Sequence, residues 1–242
     1  MIKLQIPKKL KEMGVVGAGG AGFPTYAKLK QGGIDHFIAN GAECEPLLYV
    51  SKELMERFPD KVLKGFHALK NYTGANKATI AIKARYRSVV KAVRDCIKTT
   101  NLDIDIFEIK DYFPAGDEQV LVYDITGKVV PEGGIPLLVG AVVNNIETLY
   151  NVYNAIYEHQ SVTKKFITVG GDVKNPITLK VPIGTEIRWL LDFLGIDYEN
   201  KVILDGGPMM GNIVRLDSVI TKNTGGILLF PEGHPAVVVK ES

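Results

Sequence analysis

Cysteine is nearly absent from this sequence, with only Cys44 and Cys96 among 242 residues. Two cysteines cannot build a disulfide framework, and an iron–sulfur cluster usually takes four ligands. Histidine is also scarce, and its four copies show none of the paired spacing that binds zinc: His36, His67, His159 and His234. The sequence therefore predicts no metal site of its own.

Long apolar runs are missing as well. The run at residues 137–143 is far shorter than the ~20 residues that span a bilayer. The N-terminus has no long apolar core and no cleavage site, so we expect no signal peptide and a cytoplasmic protein. The net charge is +2 and the basic residues are spread along the chain, which gives no argument for nucleic acid or an anionic membrane surface.

Glycine, by contrast, is concentrated at residues 17–22, where four of six residues are glycine. Such a backbone can turn sharply, and its free N–H groups can form a concave anion site. Pro24 suits the first turn of a helix, which would bring the Lys28 ammonium within reach of the same anion. The stretch favours a phosphorylated cofactor; a glycine-rich turn without a ligand is the alternative.

Short apolar strands then alternate with helical patterns. The predicted strands cover residues 36–39, 78–82, 102–109 and a run ending at 143, and the predicted helices 8–16, 24–31, 51–57, 60–71, 85–98, 119–125 and 148–159. This β–α–β order implies a parallel sheet covered by helices, which binds ligands at the carboxyl ends of its strands. The polar loops at such ends are residues 40–46, 112–118 and 144–148. Helix capping or a tight turn is the alternative role for Asp117, Glu118 and the consecutive asparagines Asn144 and Asn145.

The pattern changes after about residue 160. A predicted hairpin (165–173 and 177–182) is followed by a helix (185–194) and further strands (201–204 and 226–230). Two strands, a helix and more strands form a β-grasp-like order. We therefore expect two domains, residues 1–161 and 162–242.

Four loops in fixed order carry a family resemblance: the glycine loop through Lys28, Asn-Gly-Ala-Glu-Cys-Glu-Pro at 40–46, Pro-Ala-Gly-Asp-Glu at 114–118 and Val-Asn-Asn-Ile-Glu-Thr at 143–148. Together they resemble the NADH-binding flavoprotein subunit of respiratory complex I. The resemblance is closer to the branch that holds the C subunit of the Rnf electron-transport complex and the cobalamin reductase of propanediol utilisation. Residues 168–171, 181–185 and 206–211 resemble the soluble-ligand-binding β-grasp (SLBB) domain of the same family.

The resemblance implies a Rossmann-like parallel-sheet domain that binds FMN, followed by a small α+β SLBB domain. Matched by position, the FMN contacts would be Gly17, Gly19, Gly20, Lys28, Asn40, Glu43, Gly116, Asp117, Glu118, Asn144, Asn145 and Thr148. Phe23 and Glu45 would contact the NADH substrate. No side chain is expected to be catalytic, because the chemistry belongs to the flavin.

Some positions depart from the family pattern. Ala42 stands where the complex I subunit has aspartate and Rnf-type members have alanine; Phe113 replaces a tyrosine and Ala18 an arginine. The neighbouring Tyr112 would point to the other side of an extended segment. Relatives also continue into a cysteine-rich module with iron–sulfur clusters, so we expect either a fragment of a longer protein or clusters on a partner subunit.

Two function classes follow. The resemblance implies an FMN-dependent NADH:acceptor oxidoreductase, or a subunit of one, that passes electrons to a partner's iron–sulfur clusters or another acceptor, with no transmembrane segment of its own. Glu43, Glu45, Asp117 and Glu118 would make its pocket acidic and disfavour anionic reduced flavin. The alternative is a non-catalytic scaffold whose β-grasp domain docks a partner or a small ligand such as a cobalamin.

Overall fold

A computed structural model describes residues 5–29 and 32–241, and within these the chain divides into two compact units. The first unit holds the chain up to Gly17, Phe23–Cys44 and Ser51–Val162. The second holds Ala18–Gly22, Glu45–Val50 and the chain from Thr163 onward. Most of the glycine loop therefore belongs to the second unit.

The first unit is built on four parallel strands. They are β1 (His36–Gly41), β2 (Lys77–Lys83), β3 (Asp105–Ile109) and β4 (Ala141–Asn145), in the order β3-β2-β1-β4. The chain builds outward from β1 through β2 to β3 and then returns to place β4 on the other side of β1. The predicted parallel α/β sheet is confirmed.

Helices surround this sheet. They are α1 (Ile6–Glu12), α2 (Thr25–Lys28), α3 (Val50–Arg57), α4 (Pro59–Thr73), α5 (Arg87–Thr100), α6 (Glu118–Thr126) and α7 (Ile146–Tyr157), with a short 3-10 helix at Pro136–Val139. The helix predicted at 24–31 ends at Lys28, and residues 30 and 31 of that prediction lie outside the described residues. On α5, Val89, Val90 and Val93 form the buried stripe that their spacing predicts.

The second unit contains a mixed sheet. Its elements are β5 (Lys164–Gly171), β6 (Ile177–Pro182), α8 (Ile187–Phe193), β7 (Lys201–Asp205), β8 (Asn212–Val214), β9 (Gly226–Pro231) and α9 (Pro235–Glu241). The strand order is β6-β5-β9-β7-β8; β5 and β9 are parallel and the other pairs antiparallel. The last strand lies centrally beside the first, and α8 packs Ile187, Leu190 and Leu191 into the core. The predicted β-grasp-like arrangement is confirmed.

The helices described here are all too short or too polar to cross a membrane. The described residues also contain no cluster of three or more His, Cys, Asp or Glu side chains that could hold a metal ion.

Candidate functional site

The carboxyl ends of β1 and β4 lie side by side where the strand order reverses. The register pairs Ala39 with Asn144 and Asn40 with Asn145. In open α/β sheets, ligands bind in the crevice outside the strand ends at such a switch point. Two of the polar loops predicted from the sequence are therefore brought together by this one strand pair.

Lys28 reaches the same edge from α2. Its Nζ donates to the carbonyl oxygen of Val143 at 2.9 Å and lies 3.9 Å from Oε1 of Glu118. The ion pair is partly exposed, so its own contribution to stability is small. Its consequence is positional: a cation is held beside the end of β4.

The base of the glycine loop is closed within the first unit. The backbone N–H of Gly17 donates to the carbonyl oxygen of Phe23 at 2.8 Å, and Val16 forms a β-bridge with Pro24. Phe23 itself is 49% exposed. The two loop ends therefore lie close together just before α2.

Asn145 and Asn144 have different roles. Asn145 is the N-cap of α7, where its Oδ1 accepts from the backbone N–H of Glu147 at 2.8 Å. Asn144 is 4% exposed, and its Nδ2 finds no hydrogen-bond partner among the described residues. A buried donor without a partner costs about 1–3 kcal/mol, which an acceptor on a ligand would offset. Thr148, in the first turn of α7, is also buried.

The loops at 40–44 and 112–118 are joined through Gly116. Asn40 Nδ2 donates to the Gly116 carbonyl oxygen at 2.9 Å, and the Gly116 N–H donates to Cys44 Sγ at 2.8 Å. Asp117 then caps α6 by accepting from the N–H groups of Gln119 and Val120. The capping role considered for Asp117 is thus present in the structure.

Glu43 also binds the start of a helix. Its Oε2 accepts from the backbone N–H of Ser51, in the first turn of α3, at 2.8 Å, and its own φ is +43°. A carboxylate near a helix N-terminus is stabilised by the helix dipole. The carboxylate of Glu43 is therefore held by one backbone N–H group, and that of Asp117 by two.

Three predicted site residues belong to the second unit: Gly19, Gly20 and Glu45. The Glu45 carboxylate accepts from the backbone N–H groups of Met209 at 3.0 Å and Met210 at 2.7 Å. A Cβ on Gly207 would lie 2.0 Å from Glu45 Oε2, so this turn fits the carboxylate only with glycine at that position. The predicted NADH contact of Glu45 stays a prediction.

Two residues of these loops, Thr25 and Cys44, were not predicted as site residues from the sequence. Thr25, 1% exposed at the start of α2, has a hydroxyl without a partner among the described residues. Cys44 meets Gly116 across 72 positions of sequence, so no local pattern predicts the contact. Burial raises the pKa of the Cys44 thiol above its usual value, although the hydrogen bond from Gly116 opposes the shift.

Tyr112 does not take the place of the missing tyrosine. Its hydroxyl donates to Asp124 Oδ2 on α6, and this bond raises the pKa of Tyr112 to about 12. Phe113, which stands at the position of that tyrosine, is exposed.

Comparison with known proteins identifies the family. The model of the Nuo51 FMN-binding domain matches residues 10–154, more than half of the chain. Over 234 residues the chain is 38% identical to the cobalamin reductase PduS of Citrobacter freundii, covering 96% of the chain and 51% of that protein. It is 35% identical over 225 residues to the C subunit of the proton-translocating ferredoxin:NAD(+) oxidoreductase complex of Clostridium ljungdahlii, covering 90% of the chain and 49% of that protein.

A solved structure supports the fold. A chain of the NAD+-reducing [NiFe]-hydrogenase in its H2-reduced state matches with a TM-score of 0.79 at 20% identity, over 98% of this chain and 48% of that one. The chain thus spans about half the length of the relatives it matches. From the family model and the two relatives, the chain belongs to the family of the Nuo51 FMN-binding domain.

Proposed function

We propose that the first unit binds FMN at the carboxyl ends of β1 and β4, and that the chain is part of a flavoprotein that passes electrons between NAD(H) and an acceptor outside it. The single observation that carries this is the Lys28 ammonium, held 2.9 Å from the Val143 carbonyl oxygen at the switch point of the sheet. Bound FMN would supply the chemistry, since it accepts a hydride and releases electrons singly.

The residues at this edge fit a phosphorylated, hydrogen-bonding cofactor. Lys28 supplies a positive charge beside the N-terminal turn of α7, where the first N–H groups favour an anion. The Nδ2 of Asn144, which has no partner within the described part of the chain, supplies a buried donor at the end of β4. In the proposal these groups hold the phosphate and ribityl region, while Asn40, Glu43 and the loop at 116–118 contact the flavin.

The second unit has a separate part in the proposal. We assign residues 162–242 to an SLBB-type β-grasp domain, and the loop residues Gly19, Gly20 and Glu45 to the flavin and nucleotide contacts. Phe23 is half exposed, which suits a ring that stacks on the NADH base. These roles extend the family resemblance residue by residue.

We propose an iron–sulfur cluster on another polypeptide or another module as the electron acceptor. Cys44 and Cys96 are too few to ligate one within these 242 residues. The relatives in Clostridium ljungdahlii and Acetobacterium woodii are named as subunits of ferredoxin:NAD(+) oxidoreductase complexes. By analogy the chain would act as a cytoplasmic component of a larger assembly.

A non-catalytic scaffold is not favoured. The matched relatives are named as a reductase and as oxidoreductase subunits. Neither name describes a protein that only docks a ligand.

Anaerobic mixing with NADH separates these functions. The chain is saturated with FMN, freed of excess cofactor, mixed with NADH without oxygen and followed by visible flavin absorbance. Bleaching by NADH, with no bleaching by NAD+, is the expected result. A chain that retains FMN but is bleached only by dithionite would contradict NADH oxidation and support the scaffold.

A further inference from the structure

The peptide group of Gly116 is held from both sides. Its N–H donates to Cys44 Sγ at 2.8 Å, and its carbonyl oxygen accepts from Asn40 Nδ2 at 2.9 Å. Asn40 is itself oriented, because its Oδ1 accepts from the backbone N–H of Ala42 at 3.1 Å. Both side chains that bind Gly116 therefore come from the segment at the end of β1.

The fit around Gly116 is close. A Cβ at this position would lie 2.5 Å from Cys44 Sγ and 2.9 Å from the Ala42 Cβ, both shorter than real Cβ contacts. Only glycine lets the loop approach the end of β1 this far. The sulfur therefore fixes the loop by contact as well as by its hydrogen bond.

This loop carries two charged groups toward the switch point. Asp117 follows Gly116 and caps α6, and Glu118 begins that helix and lies 3.9 Å from the Lys28 ammonium. Lys28 in turn contacts Val143 of β4, and the next residue of that strand, Asn144, has a buried amide nitrogen without a partner among the described residues. A series of contacts thus connects Cys44 to the groups proposed to bind the cofactor.

We propose that Cys44 is a positioning residue for the flavin site: its sulfur accepts the Gly116 N–H and so holds the loop at 114–118, and with it Glu118, against the end of β1. The inference rests on the proposed FMN site. Burial raises the pKa of Cys44, which keeps the group a neutral thiol near pH 7. Its role is therefore that of a hydrogen-bond acceptor and packing group, with no covalent step.

Two substitutions separate positioning from general stability. In Cys44→Ala the acceptor is lost, and we expect the Kd for FMN to rise about five- to tenfold. In Cys44→Ser the hydroxyl oxygen still accepts the N–H, so the Kd should stay within about twofold of wild type. Cys96→Ala and Cys96→Ser, on α5, are the matched controls and should leave FMN binding unchanged.

The outcome is read from FMN fluorescence titration at a temperature where every variant is folded. Rescue by serine but not by alanine supports positioning through the hydrogen bond. Equal FMN affinities in wild type, Cys44→Ala and Cys44→Ser would overturn it, even if both variants melt at lower temperature. Wild type that fails to bind FMN would instead refute the proposed function.

Alkylation provides an independent test in proteins with one cysteine. N-ethylmaleimide on Cys44, in a Cys96→Ser background, adds bulk where even a Cβ on Gly116 would clash. We expect modified protein to lose at least about tenfold in FMN affinity, and bound FMN to slow the labelling. Modification of Cys96, in a Cys44→Ser background, should leave the FMN affinity unchanged, and bound FMN should not slow the labelling of Cys96. Fully Cys44-labelled protein that binds FMN like unlabelled protein would overturn the inference.

Discussion

Asn144 lies in an environment unlike that of an ordinary core residue. It is buried at the end of β4, yet its Nδ2 has no partner among the residues described. A residue kept for stability would have its donors satisfied, whereas one kept for a ligand leaves a donor for it. The two purposes predict opposite effects of removing the amide.

Replacing Asn144 with leucine tests this distinction. We expect Asn144→Leu to weaken FMN binding about tenfold while the free energy of unfolding without FMN stays equal or rises, because Nδ2 makes no hydrogen bond to any described residue that the substitution could remove. The matched control is Asn154→Leu, which replaces a buried asparagine of α7 whose Oδ1 also finds no partner in the described ranges, and it should leave FMN binding unchanged. Normal FMN affinity in Asn144→Leu would contradict the proposed contact.

Tyr112 gives a prediction in pH. Its bond to Asp124 raises the folded-state pKa from the ordinary 10 to about 12, so the contact stabilises the fold below pH 10 and is lost as pH rises through about 12. In Asp124→Asn the pKa of Tyr112 should fall back toward 10. NMR titration of tyrosine ring carbons, with Tyr112→Phe to assign the signal, measures it. A Tyr112 pKa that stays at about 12 in Asp124→Asn would show that the bond to Asp124 is not the cause of the shift.

The sequence predicts which loop holds a residue better than it predicts that residue's hydrogen-bond partner. The positions of Lys28, Asn40, Asn144 and Asn145 follow from strand and helix ends, and the register brings the last three together. The partner of Cys44 is 72 residues away, and those of Glu45 are 164 and 165 away. Pairings over such distances depend on how loops from different elements meet.

Among the elements, α4 and α7 make an unusually close contact at Gly65. A Cβ there would lie 2.1 Å from the carbonyl oxygen of Leu149, a backbone atom of α7. Helix propensity alone predicts that Gly65→Ala stabilises α4 by about 1 kcal/mol. Overpacking costs about 1–3 kcal/mol or more and should exceed it.

We therefore expect Gly65→Ala to lower the free energy of unfolding, measured by urea denaturation. The neighbouring Lys64→Ala, on the exposed face of α4, should change it by no more than about 0.5 kcal/mol. An increase in stability in Gly65→Ala would show that the two helices do not approach this closely.

Asp205, at the end of β7, is predicted to weaken the fold at neutral pH. Burial raises its pKa above 3.8, against the opposing hydrogen bond from Thr224 and the charge of Lys165. The protonated carboxyl group therefore makes its full contribution to stability below pH 3.8. This contribution is lost as pH rises through the folded-state pKa. Asp205→Asn should raise Tm at about pH 7 and match wild type at about pH 3. An equal difference in Tm between wild type and Asp205→Asn at both pH values would contradict burial of the charge as the cause.

Two elements of the second unit, β8 and α9, are not predicted by sequence patterns. Strand β8 has only three residues, too few for a clear alternation. Helix α9 contains three consecutive valines, a sequence that local propensity assigns to a strand. The segment is nevertheless helical, and Val237 packs into a buried apolar cluster with Leu204, Leu228 and Phe230.

For the whole molecule, the order of strands and helices was sufficient to predict the class of each sheet. It was not sufficient to predict which segments join which unit. Residues Ala18–Gly22 and Glu45–Val50 belong to the second unit although their sequence neighbours belong to the first. Their assignment follows from long-range contacts such as that of Lys165 Nζ with the Ala18 carbonyl oxygen at 3.2 Å.

The central claim is that FMN binds at the carboxyl ends of β1 and β4. Calorimetric titration of FMN into wild type, Lys28→Met and Lys128→Met tests it most directly. Lys128 is the matched control, because its Nζ also donates to a backbone oxygen, that of Val139, ahead of the amino end of β4. We predict one FMN per chain, about tenfold weaker binding in Lys28→Met, and wild-type affinity in Lys128→Met. No heat of binding in wild type, or equal affinity in all three, would contradict the account.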